Sequence, residues 1–190
     1  MQALLMIFSS IPWKEGLLKD AKKLEKLQIK TESSFISFEK MIFVSALAIR
    51  KLIESHKLTD RTIKSQILCT RYKIINPTSV PDILNGHNFN VFYDIKNGSE
   101  INLSIKSFVN KIIHSFILIP EVRDEISNQL SGFFVNSDFD KSKFLDYFAL
   151  PEIIRIMRLI GNDEVIEAVF ERSKDGSMKV INFGPDDIQH

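Results

Sequence analysis

The chain has a single cysteine, Cys69, and a single tryptophan, Trp13, among 190 residues. One cysteine excludes an intrachain disulfide and an all-cysteine metal cage, and it makes a reducing, cytoplasmic setting the expectation. Long apolar runs are also missing. The longest uncharged stretch inside a predicted helix, Met41 to Ile49, falls well short of the ~20 residues that cross a bilayer, so no membrane association is expected. The apolar start MQALLMIFSSIPW lacks the positive charge and small-residue cleavage site of a secretion signal, and it reads as a packed N-terminal segment. No GxxxxGK[ST], GxGxxG or GxSxG is present, which removes the usual phosphate-cradling and nucleophile-elbow chemistries. The four histidines show no zinc-ligand spacing. The acidic run NSDFDKSKFLD lacks the central glycine and terminal glutamate of a calcium loop, leaving Asp138 or Asp140 as helix caps. No metal and no cofactor is expected. Charge of one sign is not in excess either, since 25 Lys+Arg against 24 Asp+Glu leaves +1, so any basic surface must be local.

What the chain does contain is phenylalanine, 15 residues against 3 tyrosines, which points to a Phe-rich interior. Its length fits one domain with a substantial core. Leu17, Leu18, Ala21, Leu24 and Leu27 recur at helical spacing between lysines, predicting an amphipathic surface helix over 14–28. The segment from Phe35 to His56 is apolar nearly all round and predicts the central helix. Thr59 is placed to cap a short helix after it. Residues 67–75 and 89–95 are β-branched and aromatic and predict strands. Asn97-Gly98 signals a hairpin returning as a strand over 101–103, and Ser104 then caps a further helix. A strand over 132–138, a helix begun by Pro151 and closed by Gly161, and a hairpin turning at Asp175-Gly176 follow. The last residues, 184–190, read as a frayed tail. The fold class is therefore α+β, one domain with a helical part over about 1–66 and a mixed part over about 67–183. The mixed part is a small, mainly antiparallel sheet with hairpins and two further helices.

The helix after Ser104 carries VNKIIHSF, residues 109–116. At about 100° per residue, Ile105, Phe108, Val109, Ile112, Ile113 and Phe116 share one face, with Ser107, Asn110 and His114 opposite. This octapeptide resembles the signature of the HEPN superfamily, helical domains that are often metal-independent RNA-cleaving toxins or defence proteins. The family motif is an arginine, a polar residue that is frequently asparagine, three residues, then histidine. Asn110 and His114 match the polar and histidine positions, and Val109 stands where the arginine belongs. The resemblance implies that His114 acts as general acid or base on an RNA 2′-hydroxyl or leaving oxygen, while a cation stabilises the phosphate charge. Arg50 is the candidate substitute for that cation, although its spacing to Glu54, four residues on, favours a local ion pair.

Between residues 50 and 73, Arg50, Lys51, Lys57, Arg61, Lys64, Arg71 and Lys73 face only Glu54 and Asp60, which makes Lys57, Arg61, Lys64, Arg71 and Lys73 a candidate nucleic-acid surface. The competing account is a solvated helix and strand face. Cys69, among apolar neighbours in a predicted strand, is expected to be a buried, inert thiol. Two functional classes follow. One is a non-catalytic domain that binds another protein or itself, drawn from the degenerate motifs and from FISFEKMIFVSALAI, a helix more apolar than one domain needs. The other is a HEPN-like RNA-binding or RNA-cleaving domain centred on Asn110 and His114.

Overall fold

The structure, a computed structural model, describes residues 7–174, 176 and 178–187. Helix α1 (Ile11–Leu24) begins on Pro12 and buries Leu17, Ala21 and Leu24. Helix α2 (Glu32–Glu54) starts in a reciprocal capping box, in which the Thr31 side chain accepts from Ser34 N and the Ser34 hydroxyl accepts from Thr31 N. The short α3 (Asp60–Lys64) is capped by the Thr59 hydroxyl as the sequence predicts. Asp163 ties this region together. Its carboxylate accepts from Thr59 N, Thr59 Oγ1 and Thr62 Oγ1, and its backbone oxygen accepts from the buried Lys14 ammonium of α1 at 2.6 Å.

Five strands form one antiparallel sheet, ordered β2-β1-β5-β4-β3, from β1 (Gln66–Lys73), β2 (Ser99–Ser104), β3 (Ser115–Val122), β4 (Leu130–Ser137) and β5 (Phe144–Ala149). Helices α4 (Ile105–Ile113) and α5 (Leu150–Gly161) pack on one face, with α1 against α5 and α2 against α4. The strand period of two decides what meets those helices. Ile67 and Cys69 of β1, Phe133 and Val135 of β4 and Phe148 of β5 enter the main core with Phe38, Phe108 and Val109. The opposite face carries Tyr72, Phe134, Ile117 and Leu145, covered by Phe89, Phe92 and Tyr93 from the long β1–β2 connection. Beneath that cover, Tyr93 OH donates to Lys141 O at 2.6 Å and accepts from Asn136 Nδ2 at 2.8 Å, while Asn136 Oδ1 accepts from Ile117 N. A separate hairpin, β6 (Glu167–Arg172) with β7 (Met178–Phe183), sits against α3.

The α+β class is therefore observed, and several elements within it differ from expectation. Residues 89–95 are not a strand: a 3-10 helix over Gly86–Val91 occupies the start, and a single bridge joins Tyr93 to Ile74. Their aromatic character serves packing on the sheet face rather than pairing. The strand after Gly98 pairs with β1, not with 89–95, and a Cβ at Gly98 would strike the Tyr72 ring and Thr70. Helix α4 ends at Ile113 with His114 as its C-cap, so Phe116 belongs to β3. Strands β3 and β5 carry no clear strand pattern in the sequence, because Pro120 interrupts one and the acidic NSDFDKSKFLD runs into the other. Asp138 and Asp140 cap no helix; they lie in the β4–β5 turn. The C-terminal hairpin forms as expected, with its Gly176 at φ 85°, while Asp175 lies outside the described residues. Of the predicted tail, Pro185–Asp187 forms a 3-10 turn and the last three residues lie outside the description.

Candidate functional site

The octapeptide that singled out Asn110 and His114 lies at the C-terminal end of α4, and its two faces separate as the helical wheel requires. Ile105, Phe108, Val109 and Ile112 are buried, whereas His114 is exposed and Asn110 half-buried. Both polar side chains line a cleft of about 830 Å³ together with Ser107, Leu103, Arg71, Phe144 and the turn residues Ser137 to Asp140. Neither the Asn110 carboxamide nor the His114 imidazole makes a hydrogen bond within the described residues.

Below this pair lies a network of charges that strand register brings together from distant parts of the chain. Parity along the strands places Arg71 of β1 and Asp146 of β5 on the helix-facing side, opposite one another in register. Arg71 Nε and Nη2 donate to the two Asp146 oxygens at 2.7 and 2.8 Å, and Asp146 is fully buried. Lys111, buried on α4, reaches the same carboxylate at 3.2 Å and makes a shorter contact with Asp140. The Phe144 ring is the platform for both cations, with the guanidinium carbon 3.5 Å and the ammonium nitrogen 4.7 Å from its centroid. Burial pulls the Arg71 guanidinium down, but its bonds to Asp146 more than reverse this and hold it above its ordinary value. Burial, with the Asp146 charge beside it, pushes the Cys69 thiol up to about 12, so this cysteine is an inert core residue, as expected.

Two cations and two carboxylates therefore neutralise one another at the floor of the cleft. Such a network fixes α4 onto β1, β5 and the β4–β5 turn, and it leaves little positive charge for a ligand anion. Arg71 Nη1, which has no hydrogen bond within the described residues, keeps donors to spare. The signals for the network were present in the sequence. Asp146 shares strand parity with Phe144 and Phe148, and a carboxylate on an apolar strand face requires a cation. That inference needs β5 to be recognised first.

The other expected site residues are dispersed. Arg50 does not line this cleft; its Nε donates to Glu54 at 2.8 Å, the local pair that its spacing allowed. Burial is slight there, and the hydrogen bonds from Arg50 and Lys51 hold the Glu54 carboxyl below its ordinary range. Lys57 lines a different cleft, beside Lys14, His56 and Phe170. Arg61 and Lys64 border a third, with Lys64 near Asp60 at 3.9 Å. Lys73 is exposed at the far end of β1. Of the basic residues named from the sequence, only Arg71 joins Asn110 and His114.

A second surface has a simpler character. The α1–α2 pair leaves a groove of about 270 Å³ lined by Pro12, Trp13, Gly16 and Leu17 from one helix and by Val44, Ser45 and Ala48 from the other, with Asp20 at its edge. Trp13 and Val44 at the groove are 42% and 54% exposed, and Leu47, 44% exposed, and Ile36 lie further round the outer face of α2 beside the exposed Lys40. A Cβ at Gly16 would meet no atom within 4 Å, so the notch beside Trp13 is open. The Ser45 hydroxyl at the groove wall is buried without a hydrogen-bond partner among the described residues.

No group of three or more His, Cys, Asp or Glu able to hold a metal occurs among the described residues. No helix among them is long and apolar enough to cross a membrane. Neither protein-family models, nor curated proteins, nor solved structures give a match to this chain.

Proposed function

We propose that this protein is a non-catalytic interaction domain that associates with another protein chain through the α1–α2 face. The observation that supports the reading is the exposure of Trp13 and Val44 beside an open groove, with Leu47 and Ile36 also exposed on the outer face of α2. Monomeric proteins scatter exposed apolar residues singly, and contiguous patches mark contact surfaces. The apolar excess of FISFEKMIFVSALAI lies on this face: Phe38, Ile42, Ala46 and Ile49 fill the core while Val44 and Leu47 are left outside. The test is a pair of charge insertions, Val44→Glu and Leu47→Glu, in the full chain. Both residues are exposed, so helical circular dichroism is retained, and association in cells or in solution is lost. Retained association in both variants counts against this face.

A second reading has a specific observation behind it. The cleft gathers Asn110, His114 and Arg71, which supplies a cation where Val109 supplies none. In a HEPN-like ribonuclease His114 is the general acid or base and Arg71 Nη1 contacts the phosphate, with Arg50 too committed to Glu54 to take that part. The carboxylates of Asp138 and Asp140 at the rim oppose an anion. His114→Ala decides the matter: RNA cleavage that survives the substitution removes His114 from catalysis.

A further inference from the structure

Apart from the α1–α2 face, a cavity of about 570 Å³ lies between the N-terminal turn of α1, the C-terminal end of α2 and the β6–β7 hairpin. We propose that it binds a free α-amino acid with an apolar side chain, the carboxylate held by Lys14 at the start of α1 and the ammonium by Ser55 Oγ and Asn182 Oδ1 at the end of α2. Ser55 and Asn182 are each 2% exposed, and neither of these oxygens has a hydrogen-bond partner among the described residues. Both Asn182 amide protons are committed, to His56 O and Leu58 O, so its oxygen can only accept. Lys14 Nζ donates to Asp163 O at 2.6 Å and stands 3.9 Å from Asp163 Oδ2, a carboxylate already taken by Thr59 and Thr62. Burial pulls this ammonium below its ordinary value, although Asp163 and Glu164 act to raise it. Buried polar groups in native proteins are paired, so two acceptors and an ammonium around one cavity call for a polar occupant.

The charges in the wall decide the kind of occupant. Lys14 and Lys57 stand against Asp163 and Glu164, while Glu15 lies 3.8 Å from Lys19. A wall of both signs favours a ligand with one charge of each over a polyanion or a polycation. The helix ends add the same polarity. The first turn of α1 has no side-chain cap from Ser10 and favours a carboxylate, whereas the C-terminal end of α2, at Ser55 and His56, favours an ammonium. The remaining wall is apolar. Strand alternation turns Ala168, Phe170 and Val180 to the same hairpin face as Asn182, and Ile11 and Val165 complete the lining. The volume falls within the ~300–1,000 Å³ of small-molecule sites.

The experiment is isothermal titration calorimetry of the full chain with L-phenylalanine and L-leucine, beside phenylpropionate, which lacks the ammonium, and phenethylamine, which lacks the carboxylate. The expected result is saturable binding of the amino acids, weakened at least about tenfold when either charged group is missing. Ser55→Ala removes a hydroxyl that has no partner among the described residues, so the thermal midpoint should not fall while the affinity for both amino acids drops about tenfold. Phe170→Ala, at a hairpin residue 66% exposed, should weaken binding with the fold intact, and Ile126→Ala, in the β3–β4 turn, should leave it unchanged. No heat from either amino acid at millimolar concentration leaves the cavity to water and overturns the inference. Phenylpropionate binding as tightly as phenylalanine also overturns it, because Ser55 and Asn182 are then not recognising an ammonium. Unchanged affinity in both Ser55→Ala and Phe170→Ala places the amino acid elsewhere on the protein, with the same consequence. None of these outcomes bears on the α1–α2 face, which Val44→Glu and Leu47→Glu test separately.

Discussion

Replacing Asp146 by asparagine keeps the shape of a fully buried side chain and removes its charge. Arg71 then loses its bidentate partner, and Lys111, with only 5% of its side chain exposed, retains Asp140 alone. Removing one member of a buried ion pair costs about 3–5 kcal/mol, because the remaining charge is left uncompensated in a medium of low polarity. A domain of this kind has about 5–15 kcal/mol of stability in all. With a urea dependence of about 2 kcal/mol per molar, the unfolding midpoint followed by circular dichroism at 222 nm should fall by about 1.5–2.5 M. Two controls isolate the cause. Asp138→Asn, at a carboxylate whose side chain is 75% exposed and paired with Lys141, should shift stability by less than about 1 kcal/mol. The quadruple change Arg71→Met, Lys111→Met, Asp140→Asn, Asp146→Leu removes all four charges of the network, and it should recover most of what Asp146→Asn loses. A midpoint for Asp146→Asn within about 0.25 M of the parent would falsify the claim that this network fixes α4 to the sheet.

The three tyrosines give a pH signature: burial raises Tyr72, Tyr93 and Tyr147, Tyr93 to about 12 despite its bond from Asn136. Phenols raised in the folded state stabilise it fully below the unfolded value near 10 and lose that contribution as pH rises through the folded values. Absorbance at 295 nm should therefore show Tyr93 and Tyr147 ionising well above the ordinary range, with a rise accompanying unfolding; ordinary ionisation of all three tyrosines near pH 10 with circular dichroism intact contradicts this. Cys69 should resist a disulfide exchange reagent in native protein at neutral pH and react at once in denaturant, and fast native labelling would show its thiol to be accessible. Two glycines should respond oppositely to alanine. Gly16→Ala has open space in mid-helix and should raise stability by about 0.5–1 kcal/mol. Gly132→Ala places its Cβ against the Phe148 carbonyl and the Tyr147 hydroxyl and should lower stability by at least about 2 kcal/mol, with thermal unfolding of both variants as the measurement.

Local physics made some features of this chain legible in its sequence. The capping of α3 by Thr59 and of α4 by Ser104, the period of α1 and α2, Pro151 opening α5 and the polar face of Asn110 and His114 all depend on interactions within a few residues. The pairing of Arg50 with Glu54 is of the same kind. Tertiary structure alone decided the rest. Residues 89–95 have strand composition, yet they serve as cover for the second core because Phe89, Phe92 and Tyr93 gain more from burial on the sheet face than from pairing. Arg71 meets Asp146 across 75 residues of chain, and only the register of β1 against β5 brings them opposite. Lys111, within the octapeptide that carries His114, is a structural charge for the same reason, while Trp13 and Val44 line one groove only because α1 folds back along α2. Sequence determined which stretches are apolar, capped or charged. The free energy of burial, summed over contacts distant in sequence, decided which of those charges are neutralised and which apolar side chains remain for a partner.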